Sequence, residues 1–251
     1  MLNQVDIQDI VAIAKEAGNA IMQIYKQDFE VEYKQDDSPL TLADKKANDI
    51  IEYGLNKLSV NFPILSEEGN ETPYEDRKHW EYFWLVDPLD GTKEFVKKND
   101  EFTVNIALIH IDTPVLGVVY APVLDVCYWA KKDKGSFKDG KKLPLETVKK
   151  CNTYKIVSSR SHMSNETQAF IDAIDTDKEK ELISVGSSLK ICLVAEGEAD
   201  IYPRLGPTME WDTGAAHAII NEAGKAAYQF KSESTLIYNK EDLLNPWFIV
   251  K

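Results

Sequence analysis

The stretch Trp84-Leu-Val-Asp87-Pro-Leu-Asp90-Gly-Thr92-Lys-Glu-Phe95 decides how the rest of the chain is read. An apolar run from Tyr82 to Val86 meets Asp87-Pro88, where proline has no amide hydrogen for a ladder, so a buried strand is expected to end there. Asp87 then stands at a strand's carboxyl end, beyond which layered α/β proteins place ligands. Asp90 follows across a turn made by Pro88 and Gly91, so both carboxylates and the Leu89 carbonyl can converge on one point. An all-oxygen cluster of that kind suits a hard cation such as Mg²⁺. The same Asp-x-x-Asp-Gly spacing also serves as an ordinary turn, in which each aspartate bonds nearby amides.

Further short β-rich runs surround this one: Pro63 to Ser66, Phe102 to Ile109, Val115 to Tyr120 and Val126 to Ala130, separated by Pro, Gly and Asp. Adjacent strands with short connections predict a largely antiparallel sheet. Upstream, Ile7, Ile10, Val11, Ala14, Ala17, Ile21 and Ile24 recur at three and four and predict an amphipathic helix from Asp6 to Tyr25. A second helix is expected from Thr41, where Thr41-Leu-Ala-Asp44 has capping-box spacing and Ala47, Ile50, Ile51, Leu55 and Leu58 form its stripe. Downstream, strands at Tyr154–Ser158, Leu182–Val185 and Ile201–Arg204 alternate with helices at Asn165–Ile174, Ser188–Gly197 and Thr213–Ala223. The fold class expected is α+β, a layered αβαβα sandwich with an antiparallel sheet in the first half and a mixed sheet in the second. The polar segment Lys149-Lys-Cys-Asn152 is the expected boundary. It would divide an N-terminal subdomain, 1–150, carrying most metal ligands from a C-terminal subdomain, 151–251, carrying nucleotide contacts and Asp212.

Two more acidic places accompany Asp87 and Asp90. Ser66-Glu67-Glu68 ends a short strand, and adjacent acids there repel unless water or a cation screens them. Trp211-Asp212-Thr213-Gly-Ala-Ala216 puts an acid where a helix is expected to begin, a position an ordinary N-cap would also fill. Three acidic clusters at three element ends are the layout from which a multi-metal site is assembled. Gly186-Ser187-Ser188 before a helix offers amides and hydroxyls to an anion, and Lys190 adds a charge. His162 stands in Ser-Ser-Arg-Ser-His, whereas His79, His110 and His217 have no zinc-site spacing.

The net charge of −13 in 251 residues argues against nucleic acid or an anionic membrane as a partner, since both need clustered Lys and Arg. The one basic concentration, Lys131 to Lys142, is broken by Gly and Asp and reads as a solvated hairpin. Cys127, Cys151 and Cys192 are odd in number and far apart, which predicts neither a disulfide framework nor a thiolate site and fits the reducing cytoplasm. No run approaches the ~20 apolar residues of a membrane span, so no integral membrane segment is expected.

Glu67-Glu68, Asp87-Pro-Leu-Asp90-Gly-Thr92 and Trp211-Asp212-x-x-Ala-Ala, in that order and spacing, resemble the three signature motifs of the inositol monophosphatase superfamily, the Mg²⁺-dependent, lithium-sensitive phosphatases. Longer runs are similar to its CysQ-type 3'(2'),5'-bisphosphate nucleotidase branch: "EFTVNIALI", "LGVVYAPV", "SSRSH", "VGSSLKICLVAEGEADIYPR" and "LLNPWF". Together they cover most of the chain from Pro63 to Phe248, and the segment with Asp36 and Asp37 matches less distinctively. The resemblance implies two or three Mg²⁺ ions held by Glu67, Asp87, the Leu89 carbonyl, Asp90 and Asp212. Asp87 would bridge two ions, with Glu67 on the first and Asp90 and Asp212 on the second. It implies that Thr92 and Asp44 orient the attacking water. It further implies that Gly91, Thr92, Ser159, His162, Ser187, Lys190, Arg204 and Asp212 meet the substrate, a small nucleotide bisphosphate, with Arg204 on the second phosphate. The implied reaction is removal of the 3'-phosphate of adenosine 3',5'-bisphosphate by a monomer or homodimer, in the cytoplasm or peripheral to the inner membrane. The alternative is an inositol- or sugar-phosphate phosphatase with the same metal core. Thr92-Lys93-Glu94-Phe95, in place of the Thr-Asn-Phe-like continuation of inositol enzymes, leans toward the nucleotide. A haloacid-dehalogenase phosphatase is set aside because its two acids are one residue apart, not two.

Overall fold

In the computed structural model, which describes residues 1–26, 32–33, 39–40, 42–146, 152–159 and 163–251, the strand of Trp84 is the second of a seven-stranded sheet. The elements, in chain order, are α1 (Ile7–Tyr25), β1 (Glu32–Tyr33), β2 (Pro39–Leu40), α2 (Leu42–Asn56), β3 (Ile64–Ser66), α3 (Tyr74–Arg77), β4 (Tyr82–Asp90), α4 (Thr92–Val96), β5 (Thr103–His110), β6 (Thr113–Ala121), β7 (Val126–Lys131), β8 (Gly135–Lys138), β9 (Lys141–Lys142), β10 (Thr153–Ser159), α5 (Asn165–Asp172), β11 (Glu179–Val185), α6 (Leu189–Glu196), β12 (Tyr202–Arg204), α7 (Glu210–Glu222), β13 (Ala227–Gln229) and β14 (Phe248–Val250). Strands β3 to β9 pair in sequential order, β3 with β4 in parallel and the rest antiparallel. The expected basic hairpin is the β7–β8–β9 meander.

Both faces of this sheet are covered, which explains why its strands are apolar without alternation. Trp84, Val86, Val104, Ile106, Leu108, Val118 and Tyr120 pack with α1 and α2, while Phe83, Leu85, Ala107, Ile109 and Val119 pack with α6 and α7. Beyond α6 and α7 lies a second β layer. There β10 and β11 pair in parallel, a parallel bridge joins Ile156 to Ile201, and β12, β14 and β13 pair antiparallel. Ile171 of α5 closes the outer side against Ile156 and Ile201. The order α1/α2, sheet, α6/α7, sheet, α5 is the five-layer αβαβα arrangement expected, and the second sheet is mixed.

Three local expectations change. Strand β4 does not end at Asp87-Pro88 but runs to Asp90. Asp87 pairs with Asn105 and Asp90 with Thr103, so three steps on β4 oppose two on β5, a bulge that takes up Pro88 without a ladder bond. Helix α7 starts at Glu210 rather than Thr213, because the Asp212 carboxylate reaches back to accept the Met209 N–H at 2.8 Å and starts the helix without a polar N-cap residue. The short strands β13 and β14, unforeseen, complete the second sheet. The expected boundary residues 149–151, with Cys151, and Thr41, Asp36, Asp37 and His162 lie outside the described residues. Cys127 and Cys192 are free and buried.

Close approach between layers depends on Gly117 of β6. A Cβ there would stand 2.1 Å from the Ala215 carbonyl oxygen, so only glycine lets α7 lie this near the sheet.

Candidate active site

The β alternation that buries Phe83 and Leu85 against α7 sends Asp87 to the same side, toward the start of that helix. Glu67 arrives beside it because β3 runs parallel to β4, Ser66 opposite Val86, with the Glu67 amide donating to the Val86 carbonyl at 3.1 Å. Asp212 comes from the first turn of α7. One carboxylate oxygen from each of Glu67, Asp87 and Asp212 lies within 4.8 Å of the others.

Bringing three acids this close without counter-charge is unfavourable. Burial first, then the charges of Glu67, Asp90, Asp212 and Asp44, push the Asp87 carboxyl well above the usual carboxylate range. Asp212 is pushed up to about 8 by burial and by Asp90 and Glu67, against the lowering bond from Met209. Asp87 Oδ1 accepts the Leu89 amide at 3.1 Å, but its Oδ2 is buried with no hydrogen-bond partner. A buried, unpartnered carboxylate oxygen facing two further acids is the donor set of a hard divalent cation, and these residues fit one.

Asp90 is held differently. Its Oδ2 accepts Ser187 Oγ at 2.6 Å, the Ser188 amide at 2.7 Å, Ser188 Oγ at 2.8 Å and Asn105 Nδ2 at 3.3 Å. The anion at the start of α6 is therefore this chain's own carboxylate. The Gly186 amide likewise donates to Glu101 at 2.8 Å, so the Ser188 and Gly186 amides are not free for a ligand as expected. Ser188 does not cap α6 with its side chain, since its hydroxyl faces Asp90 and, at 2.7 Å, the Asp212 carbonyl.

Gly91, in the left-handed region at φ 95°, turns the chain from β4 into α4, and Thr92 opens that helix. Phe95 anchors α4 between Tyr25 and Phe102, with ring centroids 5.0 and 5.2 Å away. Such aromatic pairs are each worth about 0.5–1.5 kcal/mol beyond area burial, which keeps Thr92 aimed. Thr92 Oγ1 lies 3.5 Å from the Leu89 carbonyl, and Asp44 is buried in the first turn of α2.

A cleft of about 430 Å³ is lined by Asp44, Glu67, Asp90, Gly91, Thr92, Ser159, Ser187, Lys190, Arg204 and Asp212 among others, with Asp87 and Leu89 buried beneath. The expected residues thus meet in one place, His162 excepted because it is not described. Lys190, buried, donates to the Ser187 carbonyl at 2.6 Å, and burial lowers its ammonium to about 8. Arg204 is braced by Thr208 Oγ1 at 2.5 Å and the Pro207 carbonyl at 2.6 Å. Another depression, of about 760 Å³ beside Phe170, Tyr228 and Phe230, has Glu233 as its one acid among the described residues, so the chemistry belongs to the first cleft. Sequence reasoning passed over Asn105 and read Ser188 as a donor to a bound anion rather than to Asp90, although an asparagine inside the apolar run "FTVNIALI" is itself a signal, since a buried amide needs partners.

A model of the inositol monophosphatase family matches residues 2–247. The chain belongs to the inositol monophosphatase family. Within it, the 3'(2'),5'-bisphosphate nucleotidase CysQ of Salmonella typhimurium is 46% identical over 246 residues, covering 97% of this chain and 98% of the relative. The protein of the same name from Escherichia coli K12 is 44% identical over 246 residues, with 97% and 98% covered. The crystal structure of CysQ from Bacteroides thetaiotaomicron, a bacterial member of the inositol monophosphatase family, matches with a TM-score of 0.90 at 46% identity over 99% of this chain and 97% of that one. The chain is thus an inositol monophosphatase family phosphatase of the CysQ type. No helix among its described residues is long and apolar enough to cross a membrane.

Proposed function

We propose that this protein removes the 3'-phosphate of adenosine 3',5'-bisphosphate with Mg²⁺, giving AMP and phosphate. The observation that carries the reading is the convergence of Glu67, Asp87 and Asp212 at a cleft also lined by Lys190 and Arg204. Relatives of 44–46% identity over nearly the whole chain carry the name 3'(2'),5'-bisphosphate nucleotidase, which supports the substrate.

Glu67, Asp87, the Leu89 carbonyl, Asp90 and Asp212 would hold the ions. When bound, Mg²⁺ activates water and neutralises the phosphoryl group and leaving oxygen. The protein's own part is orientation and proton handling. Thr92 Oγ1 accepts a hydrogen bond from the attacking water, and the Asp44 carboxylate takes the proton that water gives up. The new P–O bond forms to that water oxygen, the P–O bond to the ribose 3'-oxygen breaks, and the ribose oxygen leaves as a hydroxyl by taking a proton from a solvent water. No covalent phosphoenzyme forms. Arg204 meets the 5'-phosphate, and Lys190, Ser187, Ser159, His162 and Gly91 complete the nucleotide contacts. Asp212 contributes to both ion and substrate.

Purified protein with Mg²⁺ should release phosphate from adenosine 3',5'-bisphosphate far faster than from inositol 1-phosphate. Protein that binds Mg²⁺ yet releases none from the nucleotide overturns the reading, and a preference for inositol 1-phosphate assigns the cleft to sugar phosphates.

A further inference from the structure

Five donor contacts converge on Asp90 Oδ2, and three of them come from a buried pair that is part of no reacting group. Asn105, on β5, and Ser188, just before α6, are 1% and 3% exposed, and Asn105 Nδ2 donates to Ser188 Oγ at 2.8 Å. That bond occupies a lone pair of the hydroxyl and turns its single proton toward acceptors on the opposite side. Two acceptors wait there: Asp90 Oδ2 at 2.8 Å and the Asp212 main-chain carbonyl at 2.7 Å. Ser188 Oγ therefore stands between the two residues assigned above to the same ion, one delivered by β4 and the other by α7.

Asn105 holds the arrangement from the sheet. It lies opposite Asp87 across the β4–β5 ladder, and its amide also reaches Asp90 Oδ2 at 3.3 Å. Thr103 Oγ1, the next inward residue of β5, donates to Asn105 Oδ1 at 3.0 Å and fixes which way the amide faces. Each polar atom in this chain of contacts has a partner, the condition under which a buried network rigidifies rather than weakens a core. With Oδ2 of Asp90 committed to these donors, Oδ1 is the oxygen left for the cleft.

We propose that Ser188 and Asn105 are positioning residues that set the separation of Asp90 and Asp212, and through it the affinity for the cation those carboxylates share rather than the rate of the reacting step. The proposal rests on the ion assignment under Proposed function. Groups that orient metal ligands without touching the metal typically change affinity by about 10–100-fold when removed.

The test is calorimetric Mg²⁺ binding to the full chain without nucleotide, alongside Mg²⁺ activation curves, for Ser188→Ala and Asn105→Ala. Both should raise the weaker Mg²⁺ dissociation constant about 10–100-fold, and kcat at saturating Mg²⁺ should return to within about threefold of the parent. The double variant should lose little more than the worse single one, because the two side chains act as a unit. Ser136→Ala removes a buried β8 hydroxyl that has no hydrogen-bond partner and should leave Mg²⁺ affinity unchanged. Affinity within about twofold of the parent in Ser188→Ala, or an equal loss in Ser136→Ala, overturns the proposal. If Asn105→Ala does not fold, Ser188→Ala carries the test alone, since it deletes one oxygen atom. A parent protein that binds Mg²⁺ but spares the nucleotide overturns the substrate and leaves this test in force. One that shows no Mg²⁺ binding overturns both.

Discussion

Replacing Gly117 by alanine adds one methyl group at the point where β6 and α7 touch. That carbon would sit 2.1 Å from the Ala215 carbonyl oxygen, 2.8 Å from the Ala215 carbonyl carbon and 2.9 Å from its Cα, all backbone atoms with no rotamer in which to retreat. Restoring contact of about 3.4 Å requires α7 and the sheet to separate by about 1 Å. Overpacking that forces backbone movement typically destabilises by about 1–3 kcal/mol, and the rigid neighbours place this variant near the upper end. Ala215 is one turn past Asp212, so the displacement carries that carboxylate away from Asp87 and Glu67. A misplacement of about 1 Å in a positioned group is worth on the order of 10²-fold in rate. Urea unfolding of the metal-free protein should show a loss of about 3 kcal/mol. Phosphate release should fall about 10²-fold, with partial recovery at high Mg²⁺. Stability within about 0.5 kcal/mol of the parent, with unchanged turnover, would refute the claim that this contact sets the height of α7 over the sheet.

Asp87→Asn should reduce turnover at least about 10²-fold. The metal-free urea midpoint should hold or rise, because a neutral amide sits among Glu67, Asp90 and Asp212 without repulsion, and surviving activity would show that the site is misassigned. Lys190→Met should raise KM for the bisphosphate about 10–100-fold, with a smaller effect on kcat. Because the Lys190 ammonium titrates near 8, KM of the parent should climb above that pH while the variant's does not. His217 is buried against the Tyr238 hydroxyl at 2.9 Å, and burial lowers its imidazole to about 4. The unfolded chain takes up that proton near pH 6.5, so the stabilisation is whole above 6.5 and declines as pH falls to 4, by about 3 kcal/mol. His217→Gln should flatten that part of the urea midpoint profile, and an unchanged slope would count against it.

What could be read from the chain and what could not divide along sequence distance. "WLVDPLDGTKEF" carries much of its meaning locally: apolar residues make a strand and Gly91 a turn, whereas Pro88, expected to end the strand, is absorbed in a bulge against β5. The five layers follow from such runs, since strands that are apolar on both sides need covering on both sides. Asn105 and Ser188 meet only because β5 and the start of α6 come together in space, and neither neighbourhood announces the other. The free amides expected before α6 were a local inference overruled by a distant group, Asp90. Helix α7 began early for a similar reason, since Met209 gives no capping signal and Asp212 supplies the acceptor from within the helix. Strands β13 and β14 have three residues each, which leaves no period to read; β3 and β12, equally short, are legible from the apolar residues and punctuation around them.

The delivery of Asp212 by α7 also bears on how the chain folds. Glu67 and Asp87 are neighbours through one strand pair, whereas Asp212 joins them only after about half of the chain has been threaded between. Closing so long a loop is a late event, because its entropy is lost before its contacts are made. Until α7 docks on Gly117, the sheet can offer a cation only part of its coordination. A cation that binds the finished cluster therefore stabilises the native state much more than the barrier leading to it. Its presence should slow unfolding and leave the folding rate nearly unchanged, so the persistence of the native protein is tied to the divalent ion around it.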